Sequence, residues 1–264
     1  LKLPTKVVEP EFLEPRFLLM VSAPKIGKTS NLMALPNSLL IDLENSSGYF
    51  KGMSIDVMKE SKIDGITPLA MLGEISKAIA KEIEVHKKSP YDFLILDSAT
   101  ILEDLAADLA TMIYKKTAAG KSFAGSSVVT DLANGAGYLW LREAMEKIIS
   151  PFLSLANKCV ILVVHLKDKD IVKDNVSITT KDLNLTGKLK LIIPAKADGI
   201  CKLYRNELNQ NIISFKSGSD EGIALGVREP KPRLHQQEFV LSEMIDGSLQ
   251  TYWGNIFPSI NKKK

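Results

Sequence analysis

Cysteine is scarce in this 264-residue chain: Cys159 and Cys201 are the only two, and no CxxC spacing occurs. That excludes a disulfide framework and a thiolate zinc centre, and it predicts two buried, reduced thiols. Long hydrophobic runs are missing as well. The longest clean apolar stretches, Phe17–Val21 and Val160–Val164, fall far short of the ~18 residues that a membrane-crossing helix requires. Residues 1–15 hold three of the twelve prolines among scattered charges and lack a signal-peptide core. The expectation is a cytoplasmic protein with no membrane partner. A dominant charge is also lacking. Lys and Arg number 34 against 31 Asp and Glu, a net charge of +3, so coating of a duplex by bulk charge is excluded and any nucleic-acid contact must be local.

What the chain does have is an alternation of apolar runs and amphipathic stretches. Arg16–Val21 reads as a strand, followed by Ser22-Ala-Pro-Lys-Ile-Gly-Lys-Thr-Ser30 and a short helix to about Leu35. Leu39–Leu43 is a second buried strand, residues 68–88 have helical spacing, and Asp92–Leu96 is a third strand ending on Asp97. Ala99–Lys116 is helical, residues 117–137 are a Gly/Ala/Ser-rich loop, and Tyr138–Asn157 is a helix that Pro151 should kink. Cys159–Val164 is a fourth strand, followed by a charged loop from Leu166 to Thr186. Gly199–Tyr204 and Ile212–Phe215 are further strands, and a polar tail closes the chain. Continuous apolar strands alternating with helices predict an α/β fold: one domain with a mostly parallel central sheet and helices on both faces. The expected organisation is an extended lead-in over 1–15, a core over 16–218 and a C-terminal extension over 219–264, packed on the core or trailing from it.

A phosphate-binding loop needs backbone N–H groups and a helix N-terminus aimed at the phosphates, a lysine for charge and a hydroxyl for Mg²⁺. Residues 22–29 supply S-x-x-x-x-G-K-T between a strand and a helix. Gly27 lets the backbone approach, Lys28 reaches the β/γ oxygens and Thr29 ligates the metal. Ser22, Ala23, Pro24, Lys25, Ile26 and Ser30 complete the loop. Ser22 stands where the pattern asks for glycine, and serine tolerates positive φ less well. The chain contains its own decoy, Gly120-Lys121-Ser122, which follows a helix and not a strand.

Phe93-Leu-Ile-Leu-Asp97 ends four apolar residues on an aspartate, the Walker B form that holds Mg²⁺. A strand with a mere polar cap would look the same; the loop upstream sets the two apart. Leu40-Ile-Asp42-Leu-Glu44 places two acids at the end of the second strand, with Glu44 just beyond it; a carboxylate there could act as general base or polarise water near the γ-phosphate, and a plain surface acid at a strand end would look the same. Val160–Val164 runs into His165, at the strand end where ligands gather in such sheets. His86 and His235 have no such placement.

In this order the blocks SAPKIGKTS, LLIDLEN, FLILDSAT, VILVVHLKDK and GKLKLIIPAKADGICKLYRNE resemble the RecA-like P-loop ATPases, over roughly residues 16–218. They look most like the phage-type AAA-domain single-strand annealing and recombination proteins, with further similarity to RadA-type proteins and ring helicases. The resemblance implies ATP and Mg²⁺ as ligands, with Lys28 as the phosphate lysine, Thr29 as the magnesium hydroxyl and Asp97 as the Walker B carboxylate. It further implies Glu44 as catalytic glutamate and His165 as γ-phosphate sensor. It implies a homo-oligomer, ring or filament, with a cation reaching across from the neighbouring subunit. Arg205 and Lys216 are the candidates, Lys216 being the closer match.

Relatives of this kind contact single-stranded DNA through two loops. By position these are residues 115–137, with Lys115, Lys116, Lys121 and Phe123, and 166–188, with Lys167, Lys169, Lys173, Lys181 and Lys188. Lysines with few aromatics suit backbone tracking better than base stacking. The expected function is ATP hydrolysis coupled to single-stranded DNA in recombination, annealing or replication, with a single-strand-binding protein as a possible partner. Two alternatives stay open: a helicase or packaging motor, and a nucleotide-gated accessory protein with little hydrolysis. A GTPase is disfavoured, since Asn157-Lys158-Cys159-Val160 lacks the aspartate of the Asn-Lys-x-Asp base-reading motif.

Overall fold

A computed structural model describes residues 3, 5–123, 128–173, 176–218 and 223–261; for 171–173 and 176–178 it describes the backbone alone. In chain order the elements are β1 (Phe17–Ser22), α1 (Lys28–Met33), β2 (Ser38–Asp42), β3 (Ser54–Asp56), α2 (Val57–Asp64), α3 (Pro68–His86), β4 (Phe93–Asp97) and α4 (Ala99–Lys115). There follow α5 (Gly137–Leu153), β5 (Cys159–Lys173), β6 (Val176–Leu183), α6 (Leu189–Lys196), β7 (Gly199–Arg205), β8 (Asn211–Ser214), β9 (Gly226–Val227), β10 (Glu238–Ile245) and β11 (Ser248–Thr251).

The sheet runs β11-β10-β8-β7-β1-β5-β4-β2-β3, with β6 paired to β5 and β9 to β7. From β7 to β3 every pairing is parallel; β8, β10 and β11 continue the sheet antiparallel. The mostly parallel α/β architecture expected from the sequence is the one present. Strands β1, β2 and β4 read as unbroken apolar runs because both of their faces are covered. Leu19, Val21, Ile41, Leu94, Leu96, Leu162 and Val164 face α3, α4, α5 and α6. Leu18, Met20, Leu40, Phe93, Ile95, Ile161 and Val163 face α1 and the C-terminal segment. Cys159 and Cys201 are buried free thiols, and burial pushes both well above their ordinary range. Among the described residues no helix is long and apolar enough to cross a membrane.

Four segments differ from the sequence-based expectation. Residues 117–137 contain short 3₁₀ turns at 119–122, 129–131 and 133–135. They are tied to the core by buried Val129, whose N–H donates to Thr111 Oγ1 at 3.0 Å. Gly120 belongs to this packing: a Cβ there would lie 1.9 Å from the Tyr114 carbonyl oxygen, which explains the decoy motif as a close-approach glycine. The expected charged loop after Val164 is a two-stranded ribbon. β5 continues without a break past His165, and β6 returns along it with Lys167 opposite Asp182 and Asp168 opposite Lys181. Charges that cancel in the sequence are thus cross-strand partners.

The expected polar tail is also structured. β10 and β11 extend the sheet, and Leu241, Trp253, Ile256 and Phe257 are buried in its second face. The Phe257 ring lies 4.9 Å from that of Phe93, and Trp253 Nε1 donates to the Asn31 carbonyl of α1 at 2.9 Å. Helix α5 carries Pro151 and ends two residues later, at Leu153, short of the expected Asn157.

Candidate active site

Parallel pairing brings the C-terminal ends of β1, β4 and β2 to one edge, level with His165 of β5, on the side where open α/β sheets bind ligands. In register, Ser22 stands beside His165, and Asp97 beside Asp42. The chain leaves β1 at Ser22, passes Ala23–Ile26 and enters α1 at Lys28 after Gly27. Positive φ falls on Lys25 (62°) and Gly27 (89°) and not on Ser22. The serine at the expected glycine position therefore sits in unstrained strand backbone, and Gly27 supplies the left-handed conformation the turn needs. Ser30 Oγ and Asn31 Nδ2 both donate to the Gly27 carbonyl, at 2.8 and 2.7 Å, and so fix the loop's exit.

Lys28 is the centre of the site. Its buried ammonium lies 3.1 Å from His165 Nε2, 3.2 Å from Asp97 Oδ1 and 3.4 Å from Glu44 Oε2. Glu44 Oε1 accepts from Ser98 Oγ at 2.5 Å and lies 2.5 Å from His165 Nε2. One ring nitrogen cannot donate to Glu44 and accept from Lys28 at once: as N–H, Nε2 serves Glu44, and as a bare nitrogen it serves Lys28. Partial burial pushes the Glu44 carboxyl up, but the bonds from His165 and Ser98 and the charge of Lys28 outweigh it and hold the group at about 2.

Asp97 behaves oppositely. It is fully buried, and desolvation, reinforced by the charges of Glu44 and Asp42, pushes its carboxyl up to about 6 against the pull of Lys28. The Lys28 contact is an ion pair without directed hydrogen-bond geometry, and neither Asp97 side-chain oxygen has a hydrogen-bond donor. A buried carboxylate with spare acceptor capacity fits a hydrated divalent cation. Donor atoms of Glu44, Asp97 and His165 all lie within 4.8 Å of one another, with the Lys28 ammonium against each.

The two acids of the second strand have different tasks. Asp42 is buried and turned into the protein, where its carboxylate accepts from the backbone N–H groups of Glu44 (2.9 Å), Ser46 (2.7 Å) and Ser47 (2.7 Å). It thereby shapes the turn that presents Glu44 to Lys28. Ser46 Oγ comes within 3.3 Å of Thr29 Oγ1. Asp42 as a positioning residue, Ser46 and Ser98 were not singled out by sequence reasoning. Their only signal was adjacency to Glu44 and Asp97.

Lys28, Glu44, Asp97 and His165 are thus brought together, with Thr29 against Ser46 and Ser22 and Ala23–Ser30 forming the loop. Arg205, expected to reach across to a neighbour, lies against the loop of its own chain, with Nη2 3.5 Å from the Ile26 carbonyl. Lys216 is exposed and lines a separate cleft with Lys202, Tyr204, Ser214 and Glu238.

Of the DNA candidates, Lys116 and Lys121 are exposed and Lys115 closes α4, while residues 124–127 of that segment lie outside the described residues. Phe123 packs edge-on against Tyr114 at 5.4 Å, which in turn meets Trp140 at 5.7 Å, so its ring is already engaged. Lys167 and Lys169 project from the ribbon and Lys188 precedes α6. Lys169 faces Asp182 at 3.8 Å, and Lys181 bonds Asp168 at 2.5 Å. The Lys173 side chain and residues 174–175 lie outside what the structure describes.

A family model described as an AAA domain matches residues 14–221. No curated protein matches the chain. Among solved structures, the chain is similar to the RadB recombinase, at 9% identity over 91% of this chain and 92% of that one, with a TM-score of 0.42.

Proposed function

Because this chain belongs to the AAA domain family, we propose that it binds and hydrolyses ATP with Mg²⁺ and acts on single-stranded DNA in recombination, annealing or replication. In this reading residues 16–218 are the ATPase core, carrying 219–264 as a packed extension, and the protein works in the host cytoplasm of a phage-type system. It works as a homo-oligomeric ring or filament, with a single-strand-binding protein as a further partner. The observation that carries the reading is the lysine of a phosphate loop held within 3.4 Å of Glu44, Asp97 and His165 at adjoining strand ends.

Lys28 exchanges its carboxylate partners for the β- and γ-phosphate oxygens, and the loop N–H groups around Gly27 cradle the phosphates. Thr29 Oγ1 and Asp97 would hold Mg²⁺, and the ion would supply neutralisation of the charge that develops on the phosphate oxygens. Glu44 orients the attacking water in line with the scissile bond. Lys28 is one of the groups that hold the Glu44 carboxyl near 2, so moving that ammonium onto phosphate makes Glu44 a better base. His165 loses Lys28 in the same event. Since β5 runs unbroken from His165 into the ribbon, a change at Nε2 is transmitted to Lys167 and Lys169, which would track the DNA backbone.

A helicase or packaging motor would use the same core. The accessory-protein reading is favoured by one observation: Glu44 is tied to Ser98, His165 and Lys28, contacts that hold its carboxyl low and make it a weak base. Steady-state ATPase activity with and without single-stranded DNA, using Lys28→Ala as the blank, separates these readings. The expected result is turnover that DNA stimulates. Turnover indifferent to DNA overturns the DNA assignment, and tight ATP binding without turnover establishes the accessory reading in its place.

A further inference from the structure

We propose that Arg205 acts in cis: its guanidinium holds the nucleoside-proximal phosphate of the nucleotide bound to its own loop. This rests on the ATP-site reading above and adds a residue to it. The β7–β8 hairpin ends beside the phosphate loop, with Arg205 and Asn211 as its last cross-strand pair. Both side chains meet Gly27. A Cβ built there would lie 3.3 Å from Asn211 Nδ2 and 3.5 Å from Arg205 Nη2. Asn211 is buried and anchored to Ser242 Oγ at 2.9 Å, so the hairpin end is fixed against the loop. Arg205 is exposed, and its bond to the loop is the 3.5 Å contact of Nη2 with the Ile26 carbonyl. That is a long bond to a neutral acceptor, and a phosphate oxygen would give a shorter, charge-assisted one.

The direction of the nucleotide follows from the strand order. Glu44, Asp97 and His165, which surround the lysine that meets the terminal phosphates, stand on β2, β4 and β5 or just beyond their ends. β7 lies on the opposite flank of β1. A nucleotide laid across the loop with its γ end among those three residues must run toward β7 with its α-phosphate and nucleoside. Arg205 therefore meets the end of the ligand farthest from the chemistry. A neighbour's cation acting on the γ-phosphate would have to approach the other flank. Such a contact supports binding of ADP and ATP alike, since both carry the phosphates on this side.

The test is equilibrium binding of MgADP to wild type, Arg205→Ala and Arg205→Lys, with thermal unfolding as a check that the exposed substitution leaves the fold intact. Arg205→Ala should bind MgADP about tenfold more weakly, the worth of one exposed charge-assisted hydrogen bond, and Arg205→Lys should recover part of the loss. Adding Lys28→Ala subunits, which carry an intact Arg205, should restore nothing. Wild-type affinity in Arg205→Ala, or rescue by Lys28→Ala subunits, overturns the cis assignment while leaving the site itself standing. Failure of wild type to bind MgADP overturns the ATP-site reading and this inference together.

Discussion

Replacing Asp97 by asparagine should change how stability depends on pH, with a sign opposite to that of an ordinary salt-bridged carboxylate. Asp97 is fully buried with no hydrogen-bond donor, and its carboxyl is pushed from its ordinary 3.8 to about 6. The unfolded chain releases this proton above 3.8 and the folded chain keeps it to about 6. Across that window the unfolded state binds fewer protons, so stability falls as pH rises. The displacement corresponds to about 3 kcal/mol. Below 3.8 the wild-type side chain is neutral, like asparagine, and the two proteins should be close in stability. Above 6 the wild type bears the full cost of a buried anion and the variant bears none. Urea unfolding of both proteins from pH 4 to pH 8, without nucleotide and with EDTA, should show their difference moving by about 3 kcal/mol in favour of Asp97→Asn. A difference that stays flat with pH, or moves the other way, would refute the account of the Asp97 environment.

Glu44→Gln should keep MgATP binding within a few fold and lower turnover about 10²–10⁴-fold, the range for loss of a general base; normal turnover would remove Glu44 from the mechanism. Asp42→Ala leaves the backbone N–H groups of Glu44, Ser46 and Ser47 without their acceptor. It should cost at least about 2 kcal/mol of stability as well as most ATPase activity, and retention of both would show that the turn holds itself. Trp253→Ala removes a buried indole that bonds Asn31 and stacks on Phe257. Chemical denaturation should register a loss of about 3–5 kcal/mol, and a loss under about 1 kcal/mol would mean the C-terminal segment is not part of the core. The Glu44 carboxyl, held near 2, contributes stability that is complete above its ordinary 4.5 and lost as pH falls from there toward 2. Glu44→Gln should therefore flatten that limb of the stability profile.

The sheet edge that carries the site was legible because each of its strands is apolar on both faces and stops on a polar residue. Ser22, Asp42, Asp97 and His165 mark where the apolar runs end, although β5 itself continues past His165. Which of Asp42 and Glu44 meets Lys28 was less legible, since two acids two positions apart look equivalent until the turn that separates them is seen. The ribbon after His165 was hidden for a physical reason. Its charged residues, among them Asp168, Lys169 and Asp170, are exposed, so no hydrophobic alternation betrays a strand. The C-terminal strands were missed because their apolar residues are spread through polar sequence. Their partners, such as Phe93 for Phe257 and Asn31 for Trp253, lie far away along the chain. The cis placement of Arg205 depends on the β7–β8 hairpin register and on a close approach at Gly27, neither of which a linear motif encodes.

If the cluster around Lys28 is the γ-phosphate end of an ATP site, a crystal structure with Mg²⁺ and a non-hydrolysable ATP analogue should show the γ-phosphate within hydrogen-bonding distance of Lys28 Nζ, with the lysine withdrawn from Asp97 and Glu44. The metal should lie at Thr29 Oγ1, with Asp97 reaching it through water. An analogue bound elsewhere, or a Lys28 still seated between its two carboxylates with the nucleotide in place, would contradict that assignment.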